Sequence, residues 1–241
     1  MTTRRTFLVA ATGSAGLAAL GTACTAGSDS DQGSAATSGA GDTATGTSTP
    51  PQSAGDGTSP GCVLTPRSTE GPYYVDLDRV REDVTEGRDG APLRLDLTVV
   101  RASEGCRPVA GAAFDIWHCD ATGDYSLNGA SFLRGTQLTN ASGRCAFRTI
   151  VPGWYAGRAP HIHFKVHPDP AADGSAEFTG QFYLPEDLLA AVYAREPYAR
   201  RPGPDTSNSR DSLYRASGPA TTLKPVRDGE GYRASYVVGL A

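Results

Sequence analysis

The sequence has no long apolar run, no strong charge of one sign and few cysteines, and each lack excludes a class of protein. The absence of any run of about 18 apolar residues argues against a membrane-spanning helix. The 22 Lys and Arg nearly balance the 26 Asp and Glu, for a formal net charge of −4, so the basic face of a nucleic-acid binder is not expected. Five cysteines in 241 residues are too few for a small disulfide-built scaffold. The sequence also contains neither an internal repeat nor a glycine-rich phosphate loop.

Residues 1–24 have the anatomy of an export signal. Arg4 and Arg5 form a basic start, an apolar segment follows over residues 7–20, and small residues precede Cys24. The Arg-Arg pair followed by Thr-Phe-Leu resembles a twin-arginine signal. Cys24 stands where a bacterial lipoprotein carries its lipidated cysteine, although Gly21 replaces the usual Leu or Val three residues earlier. We therefore predict export. The protein is then either a cell-surface lipoprotein tethered through Cys24 or a cleaved and secreted protein.

Residues 25–60 consist almost entirely of Gly, Ser, Thr, Ala, Asp, Gln and Pro. This segment contains no aromatic and no large aliphatic residue, so it cannot bury enough surface to offset the entropy lost on ordering. We predict a disordered linker over residues 25–60 and one folded catalytic domain over residues 61–241. That length is sufficient for a single domain with a sizeable core.

The predicted domain is mainly β. Apolar and polar residues alternate in short segments that are separated by turn signals, a pattern typical of a β-sandwich with short helices and long loops. The predicted strands are Leu93–Val99, Ala112–Cys119, Thr136–Thr139, Cys145–Val151, His161–His167, Phe178–Leu184 and Gly231–Leu240. A short helix is predicted over Leu188–Ala194, because Pro185 and two acidic residues precede it.

Two of the four histidines, His161 and His163, are alternate residues of one predicted strand. Side chains two residues apart on a strand lie on the same face, so both imidazoles can reach one metal ion. Such a pair by itself is weak evidence, since two packed or solvent-facing histidines give the same pattern. We expect His118 to be a buried structural histidine and His167 to be solvated.

Four motifs surround this histidine pair. They are T-E-G-P-Y-Y at Thr69–Tyr74, W-H-x-D-x-x-G-x-Y at Trp117–Tyr125, F-L-R-G at Phe132–Gly135, and P-G-W-Y-x-G-R-x-x-H-I-H at Pro152–His163. In order and spacing, these segments resemble the intradiol ring-cleavage dioxygenases, the family of catechol and protocatechuate dioxygenases. The resemblance extends from about Cys62 to the C-terminus, and the motifs together are highly specific.

The resemblance implies a non-haem Fe(III) held by two tyrosinates and two histidines, which are Tyr125, Tyr155, His161 and His163. Phenolate and imidazole ligands suit a ferric ion, which is a hard Lewis acid, whereas thiolates would favour other metals. A free tyrosine has a pKa of about 10, but a bound cation strongly favours its anion.

The resemblance also implies the reaction and its other residues. Arg158 and Gln181 match the family's active-site arginine and glutamine, and would stabilise developing negative charge. Tyr73 and Tyr74 are expected to line the substrate mouth, with a packing role as the alternative. The substrates would be a catechol and O2. Cleavage of the ring between the two hydroxyls would give a cis,cis-muconate-type diacid, with Tyr155 as the ligand released during the reaction.

Two other functions compete with this interpretation. One is a non-catalytic extracellular sandwich domain that binds aromatics or glycans. The other is a zinc hydrolase built on the H-x-H pair, although zinc sites rarely use tyrosine. The sequence does not identify the preferred catechol or the oligomeric state.

The four cysteines after Cys24 form an even set, which in an exported protein suggests pairing. Three connectivities exist, and four buried free thiols are the alternative. We predict Cys106–Cys145 and Cys62–Cys119. Cys106 lies in a turn and Cys145 follows one, and both turns are expected at the same end of the sandwich. The second bridge would fasten the start of the domain near Tyr125.

Overall fold

The computed structural model describes residues 63–77, 79–171 and 177–241. The predicted signal peptide and linker lie outside these residues, so export and tethering through Cys24 stay predictions. In the described ranges, no helix combines the length and the apolar character needed to cross a lipid bilayer.

The described residues form nine strands and two α-helices, and the mainly β prediction is confirmed. The strands are β1 Pro92–Arg101, β2 Arg107–Pro108, β3 Ala113–Trp117, β4 Arg134–Leu138, β5 Arg144–Ile150, β6 His161–His167, β7 Phe178–Tyr183, β8 Val226–Asp228 and β9 Gly231–Leu240. The helices are α1 Glu186–Tyr193 and α2 Ser212–Thr221. Seven strands and α1 agree with the sequence prediction to within two residues at each end. β2, β8 and α2 were not predicted.

The strands form two sheets. The first sheet has the order β2-β1-β9-β8, with β5 also paired to β1, and the second has the order β4-β3-β6-β7. The core lies between them. Along β1, Leu93, Leu95, Leu97 and Val99 are at most 1% exposed, because every second side chain points inward. Burial of each such side chain stabilises the fold by roughly 1.5–3 kcal/mol.

The outer face of the second sheet is also buried, and this positions the candidate site. On β6, Ile162 and Phe164 belong to the core, so His161 and His163 point to the opposite face. All seven residues of β6 are nevertheless buried. Loops and the N-terminal segment over residues 63–77 therefore enclose a polar layer on this outer face.

Helix α2 was not predicted from the sequence, although a helix-capping residue, Asp211, precedes it. Its interior contains Pro219, and Gly218 precedes that proline, so its composition is unfavourable for a helix. Asp211 offsets this at the N-terminus by accepting hydrogen bonds from the backbone N–H groups of Leu213 and Tyr214.

Both predicted disulfides are wrong, since Cys119 and Cys145 are free thiols. Cys106 is disulfide-bonded. Cys145 pairs with Leu97 on β1, whereas Arg107, the residue after Cys106, pairs with Arg101. Four strand residues separate these positions by about 13 Å, and a disulfide requires α-carbons within about 7 Å. The two turns do lie at one end of the sheet, but Cys145 already belongs to the strand.

Candidate metal centre

The two histidines at the start of β6 direct their Nε2 atoms toward each other. The Nε2 atoms of His161 and His163 are 3.0 Å apart. Nδ1 of His161 lies 2.6 Å from the carbonyl oxygen of Ala159. A carbonyl only accepts hydrogen bonds, so Nδ1 carries the proton and Nε2 keeps its lone pair. Two nitrogens bound to one ion at about 2.1 Å, in perpendicular directions, would lie about 3 Å apart. The observed separation therefore fits a shared ion.

Two tyrosines approach this pair from different loops. The hydroxyl of Tyr155, in the loop before β6, is 3.2 Å from Nε2 of His161. The ring of Tyr125, in the loop after β3, lies with its centroid 5.7 Å from that of Tyr155 and 6.2 Å from that of His163. The Tyr125 hydroxyl is buried and has no partner in hydrogen-bond geometry, although the Tyr155 hydroxyl is close enough to influence its pKa. A buried hydroxyl without a partner is costly, and a bound cation would remove that cost. The structure thus brings all four predicted ligands together.

Burial keeps these four groups neutral when no cation is bound. It lowers the pKa of His161 to about 3 and that of His163 well below its usual value. Burial also raises the pKa of both Tyr125 and Tyr155. Neutral imidazoles are ready to act as ligands. The phenols can become anions only if a nearby positive charge compensates for desolvation, so a highly charged cation suits this donor set.

His163 is held by aromatic and backbone contacts. Its ring stacks on the indole of Trp117, with centroids 4.9 Å apart and planes within 9°. A β-carbon at Gly71 would lie 3.2 Å from Cε1 of His163, and Gly71 has a φ of +71°, so this close approach favours glycine. The T-E-G-P-Y-Y segment therefore packs directly against the candidate ligand.

Arg158 and Gln181 form a hydrogen-bonded pair beside the histidines. The Arg158 Nη2 group donates to Oε1 of Gln181 at 2.7 Å and to the hydroxyl of Tyr183 at 3.2 Å. Gln181 in turn donates to the carbonyl of Thr69 at 2.9 Å. On the adjacent strand β6, His163 is the direct partner of Gln181. One positive charge is thus held at the edge of the site.

The two predicted substrate-lining tyrosines point in different directions. Tyr73 stacks on Tyr125 with centroids 4.3 Å apart and lies edge-on to Tyr155. Tyr74 instead packs on Trp117, and its hydroxyl donates to Asp115 at 2.8 Å. Tyr73 therefore borders the tyrosine pair, whereas Tyr74 belongs to a polar network further along the sheet.

Sequence reasoning assigned no role to Trp117, Tyr183 or Asp211. Tyr183 is two residues from Gln181 on a predicted strand, so alternation could have placed both on one face. Trp117 belongs to the W-H-x-D-x-x-G-x-Y motif. It lies two residues after Asp115 on β3, so the same alternation places these two side chains on one face of the strand. Asp211 precedes a helix that was not predicted, so its capping position was not recognised and nothing in the sequence connected it to Arg158.

The candidate site differs from the usual metal-binding clusters of His, Cys, Asp and Glu side chains. Within residues 63–77, 79–171 and 177–241, no group of three or more His, Cys, Asp and Glu residues is arranged to hold an ion. The candidate site depends on tyrosine oxygens as well as histidine nitrogens, which distinguishes it from a typical zinc site.

Comparisons with known proteins match this part of the chain. A family model described as Dioxygenase matches residues 69–196, which contain all four candidate ligands. Catechol 1,2-dioxygenase 1 from Acinetobacter lwoffii is 32% identical over 154 residues, or 52% of this chain and 48% of that relative. The beta chain of protocatechuate 3,4-dioxygenase from Burkholderia cepacia is 33% identical over 172 residues, or 61% of this chain and 71% of that relative.

Among solved structures, the intradiol ring-cleavage dioxygenase from Tetranychus urticae is similar to this chain with a TM-score of 0.68 and 29% identity. The match covers 74% of this chain and 94% of that structure. By contrast, this chain spans only about half the length of the catechol 1,2-dioxygenase from Acinetobacter lwoffii.

Proposed function

Since the chain belongs to the intradiol ring-cleavage dioxygenase family, we propose that residues 61–241 form a non-haem Fe(III) enzyme. It cleaves catechols between their two hydroxyls, with O2 as co-substrate, to give cis,cis-muconate-type diacids. One observation carries the proposal. The Tyr155 oxygen and the two histidine Nε2 atoms converge, while the buried Tyr125 hydroxyl has no partner.

The residues that would hold the iron are Tyr125, Tyr155, His161 and His163. A bound ferric ion would supply Lewis acidity and a template for activating the catechol toward O2. Because both phenols are neutral in the iron-free protein, loading the metal releases two protons from the tyrosine oxygens. Iron affinity should therefore rise with pH.

Tyr155 is the residue suited to accept a proton from the substrate. Both tyrosines are half-buried loop residues, but the ring of Tyr125 is stacked against Tyr73, whereas the ring of Tyr155 meets Tyr73 only edge-on. Burial raises the pKa of Tyr155, so its oxygen favours the protonated form once it is separated from a cation. A catechol hydroxyl can then transfer its proton to the Tyr155 oxygen as the substrate binds.

Arg158 would stabilise negative charge that develops on the substrate. Its guanidinium is partly buried, with 19% of the side chain exposed, and it is oriented by Gln181 and Tyr183. A fixed cation in a water-poor site stabilises charge more strongly than a mobile cation in solvent. The ring of Tyr73 covers Tyr125 and limits the access of water from that side.

The test is oxygen uptake by the purified, iron-loaded protein. Catechol, protocatechuate, hydroxyquinol and methyl- or chlorocatechols are supplied in turn, and the products are identified. We expect a burgundy ferric-tyrosinate protein and a muconate-type product from at least one substrate. The matched variant is Tyr125→Phe, because it keeps the ring and removes only the oxygen. It should lose both the colour and the oxygen uptake. A colourless zinc protein, or a yellow semialdehyde product, would contradict the proposal.

A second variant tests the role of the arginine. Arg158→Ala should keep iron and colour but lower turnover by about 10², as expected for the loss of an electrostatic stabiliser. The control is Arg200→Ala, which removes an arginine with 72% of its side chain exposed. Turnover is measured from oxygen uptake at saturating substrate. An unchanged rate in Arg158→Ala would place this residue outside the reaction.

A further inference from the structure

Asp211 is a buried carboxylate outside the family-model match, and it contacts both the candidate site and α2. Its side chain is 0% exposed. Oδ2 accepts from Nε of Arg158 at 2.8 Å and from the backbone N–H of Ala159 at 2.9 Å. Oδ1 accepts from the N–H groups of Leu213 at 2.8 Å and Tyr214 at 3.2 Å. Each oxygen therefore has two donors.

These contacts reach the site by two routes. Through Arg158, the carboxylate orients the guanidinium whose Nη2 group donates to Gln181. Through Ala159, it holds a peptide segment whose carbonyl accepts the proton of His161 Nδ1. The second route sets which nitrogen of His161 keeps a lone pair. Although burial opposes ionisation, the N–H of Ala159 and the Arg158 guanidinium lower the pKa of Asp211 below its usual value.

We propose that Asp211 is a positioning residue for this centre, acting by locking Arg158 and the Ala159 segment to the N-terminus of α2. The inference rests on the proposed function for its kinetic consequence only. Its structural part, a fixed Arg158 and a fixed His161 tautomer, applies to the iron-free protein as well.

The experiment must separate positioning from helix capping, because Asp211 does both. Serine is an equally good N-cap residue, so Asp211→Ser retains an acceptor for α2. It offers neither a charge nor a second oxygen to Arg158 and Ala159. Asp211→Asn is the second variant, since it keeps the size and one acceptor oxygen. Asp96→Asn is the control, because Asp96 likewise forms ion pairs with arginine, here Arg94 and Arg233, but lies on the first sheet.

In the iron-loaded protein we expect Asp211→Ser and Asp211→Asn to lower kcat by about 10-fold or more and to change KM much less. Asp96→Asn should leave both constants unchanged. In an Arg158→Ala background, Asp211→Ser should lower kcat by no more than about 2-fold further, because the kinetic effect is expected to pass mainly through Arg158, whereas the Ala159 route is expected to show in the His161 tautomer. A wild-type kcat in Asp211→Ser, or an equal loss of kcat in both backgrounds, would overturn the proposal.

Nitrogen NMR of the iron-free protein gives a readout that does not depend on activity. In the wild type, Nε–H of Arg158 should exchange with solvent at least about 10-fold more slowly than that of the exposed Arg200, and His161 should be protonated at Nδ1. Both signatures should weaken in Asp211→Ser. Fast exchange in the wild type, or unchanged signatures in the variant, would overturn the proposal even if no substrate is turned over. Absent oxygen uptake with these signatures intact would instead contradict the proposed function.

Discussion

Two different polar sites lie side by side on the outer face of β6. At the start of the strand, His161 and His163 face two tyrosines, and neither forms an ion pair with a carboxylate of the described residues. Further along the same face, Lys165 and His167 are enclosed by acidic side chains. The four residues alternate along one strand and all are buried, so strand geometry alone does not distinguish the two ends.

The second site is centred on a buried aspartate of β3. Asp115 accepts from the hydroxyls of Tyr74 at 2.8 Å and Thr136 at 2.6 Å, and lies 3.1 Å from Nε2 of His167. The other ring nitrogen of His167 lies 3.2 Å from Glu177. Both nitrogens of His167 are therefore satisfied within the protein, and the prediction of a solvated His167 is wrong.

The difference shows what makes a buried histidine available as a ligand. His118 is also satisfied at both nitrogens, by the carbonyl of Cys119 and the hydroxyl of Thr149. At His161, only Nδ1 has a backbone acceptor, and Nε2 is directed at other potential ligands. Neighbouring acceptors thus distinguish the structural histidines from the proposed ligand His161, whereas residue type and burial are the same in both cases.

The largest expected effect comes from breaking the first site. His161→Ala should reduce bound iron to below about a tenth and oxygen uptake by more than about 10², because a direct ligand should matter more than an outer contact. The control is His167→Gln, which should retain iron. Iron is measured by metal analysis of purified protein. Iron loss in His167→Gln but not in His161→Ala would reverse the assignment of the two sites.

The second prediction breaks the other site. Asp115→Ala should lower the free energy of unfolding by about 3 kcal/mol, since it leaves buried partners without their carboxylate. Asp115→Asn should cost less, because it retains an acceptor oxygen. Denaturant unfolding measures the change, and the folded fraction should still bind iron. A loss of less than about 1 kcal/mol in Asp115→Ala would show that this network contributes little to stability.

The third prediction concerns the pH dependence of the free energy of unfolding, to which the buried His118 should contribute. Burial lowers the pKa of His118 to about 4 from an ordinary value of 6.5. Between these values the unfolded chain binds a proton that the folded protein does not, so stability rises with pH across this window. His118→Gln should reduce that slope by about 1.4 kcal/mol per pH unit. Urea unfolding of iron-free protein from pH 4 to 6.5 measures it, and an unchanged slope would contradict the prediction.

The smallest expected effect concerns the rim of the second site. Glu177 lies 3.1 Å from Nζ of Lys165 and contacts His167, but 51% of its side chain is exposed. Solvent screens such pairs, so Glu177→Gln should cost less than about 1 kcal/mol of stability. Iron content and turnover should match the wild type. A loss as large as that of Asp115→Ala would show that the rim and the buried aspartate act as one unit.

Much of the fold was predictable because its strands obey simple alternation. The bounds of β6 and β9 agree with the prediction at both ends, since each is a continuous segment of strand-forming residues. Helix α2 was missed because Gly218 and Pro219 disfavour a helix locally, and capping and packing override that preference. The predicted Cys106–Cys145 bridge was wrong because Cys145 and the residue after Cys106 pair with positions of β1 that are four residues apart.

The candidate ligands were predictable for a related reason. Tyr155, His161 and His163 are close in sequence, so their spacing and the direction of strand residues already restrict where they can meet. Tyr125 comes from a different loop, and only its motif connected it to the others.

By itself, the sequence determined the class of the fold, the family and a set of four candidate metal ligands, because these depend on local periodicity and on motifs of fixed spacing. Only the tertiary structure decided which histidine nitrogens have hydrogen-bond partners and which tyrosine borders the site. It also decided that Asp211 contacts Arg158, which is 53 residues away in the sequence. Such properties depend on which acceptors lie within about 3 Å of a buried group. That proximity is created when distant segments pack together, and no local pattern encodes it.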